Sequence, residues 1–421
     1  SGAPAAAMLC GQVLDASRIL TLLAHAWAVF VLGWLDLVRA AVGDWPAIDE
    51  LLALAPGAAC IILGWASYHP IDRRLREATL LGALDRGEQV PALVPRAVYV
   101  WEQIRHNLLF ILVPVTILVA WWESLLLATA WAVERYPWAA RAAEAQWPLV
   151  AVHLCGVLVL AACMPLAIRH LWRTARLEAG PLRERLVQLG AAHGVGFRDV
   201  LVWRTHAQIA NAAVIGLARP ARYVLMTDTL LERLPLVGVE AVMAHEVAHA
   251  RRHHIPWLML GTVVIISLAF DGAAAALRIF LPPEVHPSLG VTGVWTLVAG
   301  AACIAALGYI SRRFELQADA FAAQHLSGFR PGRTPRGSAP PITPEAAYTM
   351  IRSLDVVSRL NHSNPARFTL RHGSIRWRQH HLHGLIGASA DALPIDRTVR
   401  MIKRGILCGL AATIALALLA A

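Results

Sequence analysis

Charged residues are scarce in this chain. Asp, Glu, Lys and Arg together make up 16% of the 421 residues, whereas 57% are hydrophobic. This balance excludes an ordinary soluble enzyme and favours a membrane protein. Seven apolar runs approach the roughly 20 residues that a helix needs to cross a bilayer. They lie at 19–41, 51–68, 107–133, 148–168, 256–280, 289–310 and 404–421.

The chain also lacks closely paired cysteines and has almost no lysine. The six cysteines form no CxxC pair and mostly lie inside the apolar runs, which excludes a disulfide framework and a thiolate zinc site. Lys403 is the single lysine, so arginine supplies nearly all of the net charge of +10. The arginines cluster in the alternate segments 69–106, 169–255 and 311–404. The positive-inside rule places these segments in the cytoplasm, and we therefore expect no nucleic-acid partner.

The order of the runs predicts a mostly α, polytopic membrane protein with a small α+β part outside the membrane. Short strands are indicated by "DVLVWRT" (199–205), "NAAVIGLA" (211–218) and "RYVLMTD" (222–228), and a helix follows from about 238 through 254. The Pro/Gly-rich segment 330–344 predicts a flexible loop. The predicted parts are a four-span bundle (1–168), a first extramembrane part (169–255), a two-span hairpin (256–310), a second extramembrane part (311–403) and a last span (404–421).

The stretch "VEAVMAHEVAHARRHH" (239–254) carries the chemistry. On a helix, His245 and His249 are one turn apart on one face, and Glu246 lies about 100° away. Two imidazoles at this spacing can hold Zn²⁺, and the glutamate can take a proton from water as it attacks a carbonyl. A solvated helix face is the alternative. His253 and His254 continue the same predicted helix, but a fourth protein ligand would close the catalytic position, so we do not expect them to bind the metal.

A third ligand follows from the predicted hairpin. "SRRFELQADAFAAQ" (311–324) continues the sixth span without Gly or Pro, so Glu315 should emerge roughly 7.5 Å beyond the membrane. His249 lies roughly 9 Å before the fifth span begins, at the same membrane face. The two arms therefore predict a site of His245, His249 and Glu315. Asp319, one turn after Glu315, either orients a ligand histidine or pairs with a cation such as Arg313.

These motifs resemble the membrane zinc peptidases of the type I CAAX prenyl endopeptidase and HtpX-like family. The resemblance rests on "EAVMAHEVAHARRHH", "RRFELQADAFA", "NAAVIG" (211–216) and "RHGSIRWRQHHL" (371–382), with Gly373 where the family usually has proline. It implies a zincin-like catalytic domain built from 169–255 and 311–403. The implied roles are zinc ligands (His245, His249, Glu315), general base (Glu246), ligand support (Asp319), oxyanion stabilisation (His372, Arg378) and pairing with an extended substrate (Asn211, Ala212, Gly216).

The expected function is zinc-dependent endopeptidase activity at a cytoplasm-facing site of a multi-pass protein, in a bacterial inner membrane. Its expected partners are the lipid bilayer and a peptide or membrane-protein substrate, either a quality-control substrate or a lipid-modified peptide. The oligomeric state stays open. Two alternatives remain: a sensor-type signalling gluzincin, disfavoured because no sensor domain follows the last predicted span, and a transporter or scaffold with a degenerate metal site.

Overall fold

The computed structural model describes most of the chain in two compact units, Ser1–Arg173 and Thr174–Ala421. The described ranges are 3–84, 93–144, 147–172, 174–205, 209–280, 289–330, 334–335, 338–361 and 363–420. Part of the predicted loop 330–344, namely 331–333 and 336–337, therefore lies outside the described residues. The secondary structure is mostly helical, as the sequence predicts.

The first unit contains helices and no strand in its described residues. A π-helical turn, Ile104–Leu109, joins the fourth and fifth helices and precedes Pro114, which lies inside a continuous fifth helix. The helices are α1 (Ala3–Phe30), α2 (Trp34–Val42), α3 (Ile48–Leu84), α4 (Arg96–Gln103), α5 (Phe110–Arg135), α6 (Pro137–Glu144) and α7 (Trp147–Leu171).

Four segments of this unit are long and apolar enough to cross a membrane. They are Cys10–Phe30, Ile48–Arg74, Arg96–Arg135 and Ala151–Leu171. The predicted bounds of the first span, 19–41, are wrong. The chain turns between α1 and α2 at Gly33, whose φ of 69° lies in the left-handed region that favours glycine, so the apolar run is divided between two helices.

The second unit is built around a four-stranded sheet. The strands are β1 (Thr174–Arg176), β2 (Asp199–Trp203), β3 (Ala212–Ile215) and β4 (Tyr223–Thr227). Their order is β1-β2-β4-β3, with β2 parallel to β4 and both outer pairs antiparallel. The three predicted strands are confirmed, whereas β1 was missed because three residues are too short for an alternating pattern. β3 lies at an edge of the sheet.

Eight helices surround or follow the sheet in the described part of this unit. Thr227, Thr343 and Ser374 cap the starts of the second, sixth and seventh of these, because each side chain accepts a hydrogen bond from a backbone N–H of the first turn. The helices are α8 (Pro181–Ala192), α9 (Asp228–Arg233), α10 (Leu236–Arg251), α11 (His254–Phe280), α12 (Leu289–Leu326), α13 (Pro344–Leu360), α14 (Ile375–Gly384) and α15 (Pro394–Ala420).

The core of the unit lies where α10 packs against α12. Ala244 and Ala248 of α10, and Ala318 and Ala322 of α12, are fully buried. Small side chains let two helix backbones approach closely. Polar side chains on the facing turns of α10 and α12 can therefore reach one another. The predicted continuation of the helix from the sixth apolar run into 311–324 is confirmed, because α12 runs unbroken through it.

The predicted continuation of the helix through His254 is wrong. α10 ends at Arg251, His253 has a φ of 57°, and α11 leaves at 49° to α10. The physical reason is Pro256, which has no N–H for the Arg252 carbonyl four residues earlier and clashes with it. Lys403 of α15 donates to that carbonyl instead, at 2.7 Å from Nζ to O.

The predicted total of seven spans stays a prediction. Among the residues that the structure describes, the second unit adds at most one candidate, the bent pair Leu236–Arg251 and His254–Ala269. The buried, histidine-bearing face of α10 lies in the core of the unit, so we assign the membrane-facing part to α11.

Candidate metal centre

Three side chains from α10 and α12 converge on one point. The Nε2 atoms of His245 and His249 lie 3.2 Å apart. Each is 3.6 Å from an oxygen of Glu315, His245 from Oε2 and His249 from Oε1. Among the described residues, this is the group of histidine, cysteine and carboxylate side chains with ligand atoms close enough to hold one metal ion. The sequence spacing predicted this group, and the structure brings it together.

The spacing of these atoms fits a zinc ion. Ligands at roughly 2.0–2.2 Å from tetrahedral zinc are roughly 3.3–3.6 Å from one another. The observed separations of 3.2 and 3.6 Å bracket that value. Two imidazoles and one carboxylate are also the donor set of catalytic zinc sites, which leave a fourth position open. These residues could therefore hold zinc with one position free.

Asp319 and Arg378 hold the ligands from behind. The Nδ1 atom of His245 is 2.9 Å from Oδ1 of Asp319. Arg378 donates to both oxygens of the same carboxylate, at 2.7 Å from Nε and 2.6 Å from Nη2. Its Nη1 lies 3.3 Å from Oε2 of Glu315. A carboxylate on the far nitrogen fixes the tautomer and orientation of a ligand histidine.

The electrostatics of the centre differ between the two histidines. Burial lowers the pKa of His245, but hydrogen bonds that His245 donates to Asp319 and Glu315, with the charges of the two carboxylates, outweigh it and raise that pKa to about 10. Burial lowers the pKa of His249 to about 4. Burial would raise the pKa of Asp319, but the charge and hydrogen bonds of Arg378 hold it at about 2. Burial would also raise the pKa of Glu315, but hydrogen bonds from His245 and His372 hold it well below its ordinary value. Asp319 and Glu315 thus stay ionised, and a bound cation would replace the proton of His245.

Glu246 lies on the open side of the centre. It follows His245 directly on α10. Its Oε2 accepts a hydrogen bond from the backbone N–H of Val214 on β3, at 3.3 Å. Glu246 is half-buried, and desolvation raises its pKa to about 7. A carboxylate with this pKa can take up and release a proton near neutral pH.

The edge strand β3 presents alternate backbone groups outward. Ala213 and Ile215 face β4 in hydrogen-bonding register, whereas the N–H groups of Ala212 and Val214 go to Asn211 Oδ1 (2.9 Å) and Glu246. The Asn211 side chain thus binds the start of its own strand. The outward edge at Ala212 and Val214 is free of any further strand among the described residues, as an edge that accepts an extended peptide requires.

Gly216 closes the edge strand for a steric reason. Its φ is 94°, and a Cβ there would stand 2.2 Å from the carbonyl oxygen of Ala221. Only glycine fits this close approach of two backbone segments. The glycine of the NAAVIG stretch therefore shapes the strand end, and it has no side chain that could contact a substrate.

The two residues that the resemblance makes oxyanion donors lie in different surroundings. His372 is half exposed, and its Nδ1 lies 3.2 Å from Oε1 of Glu315, at the mouth of the centre. Arg378 is buried, and its donors point at Asp319 and Glu315. The role of Arg378 at an oxyanion stays a prediction, since the observed contacts make it a counter-charge for the carboxylates. Gly373 has a φ of 73°, which proline cannot adopt, so the turn differs from that of a His-Pro motif.

His254 and Gln317 were not predicted as part of the site. His254 Nδ1 lies 3.0 Å from His249 Nδ1, and its Nε2 lies 2.9 Å from Gln317 Oε1. The helix break at His253 produces this placement, and Pro256 is the sequence signal that could have revealed it.

Three comparisons with known proteins gave matches. The model of peptidase family M48 matches residues 176–335. The Protease HtpX homolog of Nitrosomonas eutropha is 32% identical over 156 residues, which cover 35% of this chain and 52% of that protein. The chain thus spans about half the length of this curated relative. The crystal structure of S. mikatae Ste24p has a TM-score of 0.40 and 15% identity, covering 89% of this chain and 97% of that one.

Proposed function

We propose that this protein is a membrane zinc endopeptidase whose metal is held by His245, His249 and Glu315, because residues 176–335 match the model of peptidase family M48. The match to this family and the apolar helices support a metalloprotease of the membrane. That the metal is zinc, where the site faces and what is cleaved are the parts that we propose.

One observation carries the proposal. The carboxylate of Glu246 both adjoins the ligand His245 and meets the N–H of Val214 on the open edge of β3. A peptide that pairs with this edge would lie against the same carboxylate and beside the metal ligands. Zinc bound there would act as a Lewis acid and lower the pKa of a water from about 15.7 towards about 7.

The residues of the chain supply the remaining steps. Glu246 takes a proton from the attacking water as the new C–O bond forms, and it returns that proton to the amine nitrogen as the C–N bond breaks. His372, half exposed at the mouth of the centre, can donate a hydrogen bond to the carbonyl oxygen of the substrate. Asp319 and Arg378 keep His245 and Glu315 in place during the reaction.

The substrate is an extended peptide recognised by its main chain. Backbone pairing at a strand edge does not depend on the substrate's side chains, which suits unfolded or misassembled membrane proteins as well as lipid-modified peptides. The arginine-rich segments 169–255 and 311–404 support a cytoplasm-facing site by the positive-inside rule.

The test compares purified full-length protein in detergent with its Glu246→Gln variant. Both should bind one zinc per chain by elemental analysis, and the parent alone should cleave an unstructured test polypeptide. The amide cannot accept the proton, so we expect a loss of at least about 100-fold in rate. Glu240→Gln on the same helix is the matched control and should cleave like the parent, since Glu240 binds Arg185 and His325 away from the centre.

Two outcomes would contradict the proposal. If the Glu246→Gln protein cleaved as fast as the parent, Glu246 would not be the general base. A parent that binds zinc and cleaves nothing would favour the transporter or scaffold alternative.

If the parent cleaves, proteomics of membranes that contain the Glu246→Gln variant as a substrate trap would separate lipid-modified from unmodified substrates.

A further inference from the structure

A chain of hydrogen bonds leads from one metal ligand to the C-terminal helix. It starts at His249 Nδ1 and passes through His254 to Gln317, with distances of 3.0 and 2.9 Å. Gln317 Nε2 then lies 2.5 Å from Oδ1 of Asp396, in the first turn of α15. The chain thus joins α10, α11, α12 and α15 behind the centre.

Each donor and acceptor in this chain is determined by the first. If His249 binds zinc through Nε2, its Nδ1 must carry the hydrogen and donate it. His254 then accepts at Nδ1 and donates from Nε2 to the Gln317 carbonyl oxygen. The Gln317 amide in turn donates to the Asp396 carboxylate. All four groups are satisfied in one direction, and the carboxylate at the far end makes each donor stronger.

The His254 ring is held in place by three further features. Its residue is 2% exposed, and its ring stacks on Phe314 with a centroid distance of 4.4 Å and an interplanar angle of 6°. The preceding residue, His253, has a φ of 57°, which costs energy for a residue other than glycine. The fold thus retains a strained residue at the break that brings His254 behind His249.

We propose that His254 is a positioning residue that fixes the tautomer and ring orientation of His249 and links the metal centre to α15 through Gln317 and Asp396. The inference rests on the proposed function, because it needs His249 to be a zinc ligand. It adds a residue to which the HExxH spacing gives no role. The two ligand histidines are then held differently, His245 by a carboxylate and His249 by a neutral imidazole.

The test measures zinc affinity of the full-length protein by competition with a chromophoric chelator. His254→Ala should weaken zinc binding by about 10- to 100-fold, the usual effect of removing a residue that orients a metal ligand. His254→Asn can place an amide oxygen near the Nδ1 position, so it should restore affinity to within about threefold of the parent. His254→Gln keeps a polar group towards Gln317 but not towards His249, so it should resemble His254→Ala.

A spectroscopic readout separates positioning from general destabilisation. The visible d–d bands of the Co²⁺-loaded protein report ligand geometry. They should change in His254→Ala and return in His254→Asn. His193→Ala is the matched control, because it removes an equally buried imidazole of the same unit, one that contacts His325 and Phe321. It should leave both the affinity and the bands unchanged.

The link to α15 is tested by a double-mutant cycle. Gln317→Ala should weaken zinc binding less than His254→Ala, and the two changes together should cost little more than His254→Ala alone, since they act in one chain. Fully additive losses would contradict the link.

Different results overturn different claims. Unchanged zinc affinity in His254→Ala, or equal losses in His254→Ala, His254→Asn and His193→Ala, would overturn the positioning role while leaving the proposed peptidase intact. A parent protein that binds neither zinc nor Co²⁺ would overturn both.

Discussion

The role of Arg378 offers a sharp test, because the sequence resemblance and the observed contacts point in different directions. The resemblance implies an oxyanion donor, whereas the structure shows a buried guanidinium bound to Asp319 and close to Glu315. We consider Arg378→Met in a Glu246→Gln background, which prevents self-cleavage. Methionine keeps the length of the side chain and removes the charge.

The expected cost of Arg378→Met follows from burial. Arg378 is 6% exposed and Asp319 is fully buried, so the change leaves a carboxylate in the interior without its counter-charge. Breaking a buried pair in this way costs about 3–5 kcal/mol. In a unit of this size, 1 kcal/mol shifts the melting temperature by about 2–4 °C, which gives a decrease of about 6–20 °C.

The assay is thermal unfolding in detergent at one fixed scan rate. Arg359→Met is the matched control, because Arg359 pairs with Asp355 on the surface of α13 and its side chain is 72% exposed. An exposed pair contributes at most about 1 kcal/mol, so this variant should melt close to the parent. Arg378→Lys should lie between the two, since lysine keeps the charge but loses the two-point contact.

The pH dependence of the pair has a definite sign. Arg378 lowers the pKa of Asp319 from 3.8 to about 2, against the opposing effect of burial. The stabilisation is therefore complete above the unfolded value and is lost as pH falls from 3.8 towards 2. Our reasoning would be refuted if Arg378→Met and Arg359→Met had the same melting temperature at neutral pH, yet Arg378→Met abolished cleavage when Glu246 was restored. That result would favour the oxyanion role.

Three further predictions concern the metal and the edge strand. Zinc should displace the proton of His245, whose pKa is about 10. The zinc affinity of the Glu246→Gln protein should therefore rise about tenfold per pH unit between about pH 5.5 and 6.5. A chelator titration that shows no pH dependence would contradict this. Gly216→Ala should lower the melting temperature, because its Cβ would stand 2.2 Å from the Ala221 carbonyl oxygen at a φ of 94°. Val214→Pro removes the outward N–H beside Glu246 and should reduce kcat/KM for peptides by about tenfold or more with zinc retained; unchanged kinetics would argue against pairing at this edge.

The sequence alone determined the features that depend on local pattern. Composition and apolar runs indicated a membrane protein, and β-branched residues bounded by glycine and proline located three of the four strands. The HExxH spacing and the unbroken helix after the sixth apolar run predicted that His245, His249 and Glu315 would meet. These predictions succeed because the rise per residue and the residues per turn of a helix are fixed, so sequence spacing sets where side chains lie along each helix.

Only the tertiary structure decided which groups face these residues from distant parts of the chain. Arg378 lies 59 positions from Asp319, and Gln317 lies 63 from His254, so no periodicity connects them. Asp396 reaches the same network from α15. Tertiary structure also decided the division of the first apolar run at Gly33 and the helix break before His254. A local pattern does not show where a tertiary contact, such as that of Lys403 with Arg252, will support a broken helix end. Local sequence thus determined which side chains can bind the metal, and packing determined which partners orient them.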